Sequence, residues 1–142
     1  MAVTAAFLIG VKKMYNGSII NESPTVSFQV KEDLKGAAFT AVALVDGGII
    51  SATDSDISIG ILTAEHELPI NAGEDVTVQV KDISTWIVGE EIKAGDLLTA
   101  GENGVAMKAT SGKFILGQAL ENGTKDSAIQ VQITKSGFAP AS

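Results

Sequence analysis

Apolar and polar positions in this chain alternate in short runs, and the runs recur in the same order twice. The first set is Val42-Ala-Leu-Val-Asp-Gly-Gly-Ile-Ile-Ser-Ala-Thr53, then Ile57-Ser-Ile-Gly-Ile-Leu62, then Glu74-Asp-Val-Thr-Val-Gln-Val-Lys81. The second is Asp96-Leu-Leu-Thr-Ala-Gly-Glu-Asn-Gly-Val-Ala-Met-Lys-Ala-Thr110, then Phe114-Ile-Leu-Gly-Gln-Ala-Leu120, then Ala128-Ile-Gln-Val-Gln-Ile-Thr134. Each set places an apolar strand before a glycine turn and a second strand ending in Ala-Thr. A strand with a central glycine and an alternating strand follow. The pattern predicts two tandem β repeats, at about 37–81 and 86–135. Val76, Val78 and Val80 share one strand face, as do Ile129, Val131 and Ile133, so both final strands are half-buried. Gly60 and Gly117 occupy matching strand interiors, where glycine marks a bend or a close backbone approach.

Ahead of the repeats, Val26, Phe28 and Val30 alternate with polar residues and predict one more strand, followed by a polar connection from Lys31 to Gly36. Residues 1–24 form an N-terminal arm or an edge strand; the alternation Val3, Ala5, Phe7, Ile9, Val11 permits either. Turns are expected at Asp46-Gly47-Gly48, Glu102-Asn103-Gly104, Ser111-Gly112-Lys113 and Asn122-Gly123. No segment carries a sustained helical period; Ser84–Val88 and Ala64–Ile70 are the two places a short helix would fit. The expected organisation is one compact β domain over 25–136, with a flexible tail at 137–142 in which Phe138 docks locally.

Composition supports an aliphatic β core. Of 142 residues, 45% are hydrophobic, 5% are aromatic and 15 are glycine. The 17 acidic and 10 basic residues give a net charge of −7, and every basic residue is lysine. A surface without arginine and with this charge repels a phosphate backbone, so direct nucleic-acid binding is not expected. There is no cysteine, hence no disulfide, zinc-thiolate site or cysteine nucleophile. The apolar run Ala5–Val11 is too short to cross a bilayer and lacks the flanks of a signal peptide, so no membrane association is expected. The Asn-x-Ser/Thr triplets at Asn16, Asn21 and Asn122 read as turns or chance.

Candidate chemistry is sparse. His66 is the sole histidine, in Glu65-His66-Glu67, with no second soft ligand to complete a metal shell. A solvated loop before Pro69 explains it. Asp54-Ser-Asp56 and Glu74-Asp75 lack the spacing of a calcium loop. No nucleophile elbow, phosphate-binding glycine loop or dinucleotide fingerprint occurs. Glu90 and Glu91 are adjacent and would face opposite ways in a strand. No catalytic residue, metal or cofactor is therefore expected, and the chain reads as a non-enzyme. Trp86 suits either the core or an interface, and Tyr15 an interface.

The order of these elements resembles the head-decoration (capsid cement) proteins of tailed bacteriophages, the lambda-type family. The likeness lies in Val42–Thr53, Ser58–Ala64 and the strand to Lys81, and again in Ala94–Thr99, Gly104–Thr110 and Ile115–Leu120. The resemblance implies a mainly β fold: a small β-barrel or β-sandwich, β-tulip-like, with little helix. It implies a structural virion protein on the outer surface of the expanded capsid. There it would bridge major capsid protein subunits, stabilise the head against packaged DNA, and associate with itself as a homotrimer. Val3, Phe7, Ile9, Tyr15 and Trp86 are the candidate capsid or subunit contacts. The alternative is a carbohydrate- or ligand-binding β module on a virion or cell surface, which needs an exposed aromatic platform. A small hydrolase would require His66.

Overall fold

The computed structural model describes residues 23–54 and 56–140. The expected contacts Val3, Phe7, Ile9 and Tyr15 lie outside the described residues. Within them the chain forms two five-stranded antiparallel sheets, stacked as in a sandwich, and neither closes into a barrel. The first contains β1 (Thr25–Gln29), β2 (Ala41–Val45), β3 (Gly48–Ser51), β4 (Ser58–Leu62) and β5 (Asp75–Gln79), in the spatial order β1-β5-β4-β2-β3. The second contains β6 (Asp82–Ile87), β7 (Leu97–Ala100), β8 (Ala106–Lys108), β9 (Phe114–Ala119) and β10 (Ala128–Phe138), in the order β6-β10-β9-β7-β8.

The two orders are the same order shifted by five strands, so β1 corresponds to β6 and β5 to β10. The repeat thus begins one strand earlier than its strongest sequence signal. Loop hydrogen bonds carry the correspondence down to single residues. Val30 N–H donates to Glu74 C=O at 2.8 Å, and Val88 N–H to Ser127 C=O at 2.9 Å. Leu34 N–H donates to Ile70 C=O, and Ile92 N–H to Gly123 C=O. Val30 bridges Ile49 in parallel, and Val88 bridges Ala106. Each sheet therefore curls until the residue after its first strand touches its last-placed strand.

Each curled sheet encloses its own aliphatic core. Val42, Ile49, Leu62, Val76 and Val78 fill the first, capped by Val30, Leu34 and Ile70 from the loops. The corresponding residues Leu98, Ala106, Ala119, Ile129 and Val131 fill the second, capped by Val88 and Ile92. The second core also holds Trp86, Phe114 and Leu116. It is joined by Ala41, Ala43, Ala52 and Ile61 from the opposite face of the first sheet. The sheets are thus one packed body: the first is buried on both faces, and its outward Ala41/Ile61 side lies against the second unit. Burying a valine, leucine or isoleucine side chain fully stabilises by about 1.5–3 kcal/mol, so this aliphatic set dominates the energetics.

Trp86 is fully buried, and its indole N–H donates to Gly104 C=O at 2.8 Å. This bond holds the 3-10 turn Glu102–Gly104 against the core, and that turn also packs on β2. Gly60 and Gly117 occupy equivalent crossings. A Cβ on Gly60 would lie 2.2 Å from Gln79 C=O, and one on Gly117 2.5 Å from Gln132 C=O. The sheet interior is too tight for any side chain at these two places.

Three local expectations change. Ser84–Val88, a candidate helix, lies in and just after β6, because Ser84 and Trp86 point inward while Ile83, Thr85 and Ile87 do not. Ala64–Ile70 is irregular, and the 3-10 turn falls at Glu102–Gly104 instead. His66 is not solvated: its side chain is 13% exposed, and Nε2 accepts the Thr77 N–H at 2.9 Å. Phe138 does dock locally, edge-on to Phe114 with ring centroids 5.6 Å apart.

Two outcomes test this account. Gly60→Ala and Gly117→Ala should each destabilise by about 1–3 kcal/mol, the range for forcing atoms into a packed interior, read as a lower midpoint in urea unfolding. Trp86→Phe should cost about 2–3 kcal/mol, combining a vacated core volume with an orphaned Gly104 carbonyl; a loss under 0.5 kcal/mol would show that the indole bond is dispensable.

Candidate functional site

The polar clusters singled out by sequence serve structure. The imidazole of His66 accepts a backbone N–H and so pins the Ala64–Ile70 loop to β5. The Thr63 hydroxyl donates to Glu65 at 2.6 Å and holds that carboxyl below its usual range. Asp56 accepts the Thr53 N–H, Glu74 the Asn71 N–H and Asp96 the Lys93 N–H; each carboxylate closes a turn that launches a strand. Glu90 accepts the Lys108 N–H at 2.8 Å. Among the described residues no group of three or more His, Cys, Asp or Glu side chains is placed to hold a metal ion. No helix among them is long and apolar enough to cross a membrane.

Two surfaces stand apart from this background. The first is the outer face of the second sheet. Register places Ile83 opposite Gln132, Thr85 opposite Gln130, and Ile87 opposite Ala128. Gln118 stands opposite Gln132 on one side and Leu97 on the other. Side chains paired in this way share a face. None of these eight is ionisable, in a chain whose net charge is −7. Ile83 and Leu97 are exposed there, as is Leu120 just beyond β9. The matching pair in the first sheet is Ala41 opposite Ile61, and that pair is buried against the second unit. The repeat therefore uses this face inside the chain once and leaves its second copy open.

The second surface is a groove of about 330 Å³ between the two units, lined by Leu44, Ile57, Ser58, Ile59, Phe114 and Lys135. Ile57 is 60% exposed and the nearby Phe138 56%, high values for such large apolar side chains. Two polar residues converge here. Ser58 is 2% exposed and its hydroxyl has no partner among the described residues, which costs roughly 1–3 kcal/mol. Lys135 sits in a β-bulge: Ile133 pairs with Gly117 and Gly137 with Ile115, leaving three residues between them on β10 against one on β9. Its φ of 47° lies in the left-handed region, a strain of order 1–3 kcal/mol for a residue other than glycine. Partial burial also pushes its ammonium below the ordinary lysine range. Among the described residues no carboxylate pairs with it.

Of the sequence-predicted contacts, only Trp86 falls among the described residues. It is core, so it offers neither a capsid contact nor a stacking platform for a sugar. Sequence reading missed the groove. Ile57 and Phe114 were legible as strand residues, but nothing marked Ile57 as exposed or the two as lining one groove across the units. The one available signal was the insertion after Ile133, which lengthens β10 relative to β5.

No protein-family model matches the chain, and no curated protein does. Among solved structures, the chain is similar to the N base of head fiber gp8.5 of bacteriophage phi29. The TM-score is 0.58 at 21% identity, over 81% of this chain and 97% of that one. At this identity the likeness is one of fold: the fiber base and this chain share the same two-sheet architecture across almost the whole of the smaller structure.

Proposed function

We propose that this chain is a structural protein of a bacteriophage head, carried on the outside of the shell. There it bridges major capsid protein subunits and reinforces the head against the pressure of packaged DNA. The observation that carries the reading is the fold likeness to a phage head fiber base over 97% of that structure. A likeness between sequence elements and phage decoration proteins supports it independently. The fiber base widens the reading from the lambda-type family to head-associated phage proteins in general. The chemistry is in keeping: the polar clusters are consumed in turns, while the open surfaces are those that suit protein contacts.

In this reading the uncharged face of the second sheet joins copies of the chain. Two chains of net charge −7 repel wherever their acidic surfaces meet, and a face without charges is where they approach at least cost. The equivalent face of the first sheet already packs against a β unit within the chain. Copies joined in this way grip several shell subunits at once, so each contact can be weak.

Two measurements test the reading. Cryo-imaging of virions made with and without the chain should show density on the outside of the head that disappears with it; heads identical in both preparations would refute the assignment. In light scattering over a concentration series, the chain should be larger than one copy. Gln132→Glu, which sets like charges into the contact, should raise the dissociation constant at least tenfold, about 1.4 kcal/mol. A chain that is monomeric throughout, or an oligomer indifferent to this charge, would remove the copy-to-copy contact.

A further inference from the structure

The groove between the two units is incomplete as it stands. It combines apolar walls with two polar side chains that lack partners among the described residues. Ser58 is part of the wall, with its Oγ buried behind it and without a partner among the described residues. Lys135 lines the same groove and has no carboxylate partner among the described residues. The backbone holds Lys135 in a conformation that lysine disfavours, at a bulge that β5 does not share. Bulges beside functional sites re-aim a side chain, and strain of this sort persists where the surroundings enforce it.

We propose that this groove receives an extended segment of a partner protein that carries an apolar side chain next to a carboxylate. The apolar side chain is taken up between Ile57, Ile59 and Phe114. The carboxylate pairs with the Lys135 ammonium, which lines the same groove. Charge selects the occupant. The groove presents one unpaired cation and no carboxylate in its lining, so a segment bearing a single negative charge fits, while a basic segment does not. A second copy of this chain is the weaker candidate, since its net charge of −7 adds repulsion beyond the single pair. The inference deepens the head-protein reading by giving the chemistry of one contact, and it rests on that reading only for where the partner is found.

The test uses the full chain, isotope-labelled for NMR, and three blocked pentapeptides with a central phenylalanine followed by Asp, Asn or Lys. The Asp peptide should shift the amides of Ile57, Ile59, Phe114 and Lys135. The Asn peptide should bind about tenfold more weakly, and the Lys peptide more weakly still. Lys135→Met, which keeps the aliphatic stem, should abolish the preference for Asp over Asn while leaving the spectrum folded. Lys135→Arg should retain it. Equal affinity for the Asp and Asn peptides, or no shift at millimolar peptide, would overturn the proposal. So would shifts of the same amides on raising the concentration of the chain alone, which would make a second copy the occupant. These readouts need no phage particle: head imaging can fail while the Asp preference stands, and the Asp preference can fail while the head density stands.

Discussion

Ala41, Ala43 and Ile61 carry the contact on which the two-sheet arrangement depends. They lie on the face of the first sheet that looks away from its own core, and they join the second core around Trp86. Small side chains at two of the three positions let the sheet approach closely. The turn at Gly104 comes against β2: a Cβ on that glycine would stand 2.5 Å from Ala41 C=O. The Trp86 indole bonds the same glycine. Sheet stacking, turn placement and the seating of the largest core residue are therefore a single constraint. Larger side chains at Ala41 or Ala43 would lift the first sheet off the second core.

This contact also separates two β units built to one plan. Both units curl around their own aliphatic residues, close the curl with equivalent bridges and use glycine at equivalent crossings. Only the first covers its outer face with the other unit. Where it has Ala41 and Ile61, the second has Leu97 and Gln118, larger or more polar and open to solvent. Duplication thus produces an uncharged surface as a by-product of symmetry. A tandem repeat joined in a heterologous manner always leaves one such face unmatched.

The mainly β fold was legible in the chain because period-two alternation and glycine turns are local signals. Val76 and Val78 lie on β5, with Val80 just beyond it, and Ile129–Ile133 lie on β10; Val76, Val78, Ile129, Val131 and Ile133 are the inward residues that alternation requires. The first strand of the repeat was harder to read: Val26 and Phe28 answer Ser84 and Trp86 by position, but their side chains differ too much for a pattern to register. His66 read as a loop residue because its bond is to a backbone N–H eleven positions away, which composition does not encode. The groove was invisible for the same reason. It is lined by Ile57 and Phe114 from different units, and the exposure of Ile57 is a property of the assembled surface.

What distinguishes the second unit from the first is where the plan is broken. Phe39 stands at φ 66°, a left-handed conformation that its counterpart Gly95 takes at φ 94° without strain. The correspondence rests on matching bonds, Phe39 N–H to Leu62 C=O and Gly95 N–H to Ala119 C=O. β5 runs straight into the next unit, whereas β10 bulges at Thr134–Ser136 and carries on to Phe138. A repeat propagates the residues that folding needs, since both copies must satisfy the same sheet geometry. Departures such as a phenylalanine where glycine is at ease, or a lysine in the left-handed region within a bulge, are not required by that geometry. One of them, Lys135, falls on the groove that both units line. The scaffold is common to the two units, and individual recognition is concentrated where one of them departs from the common plan.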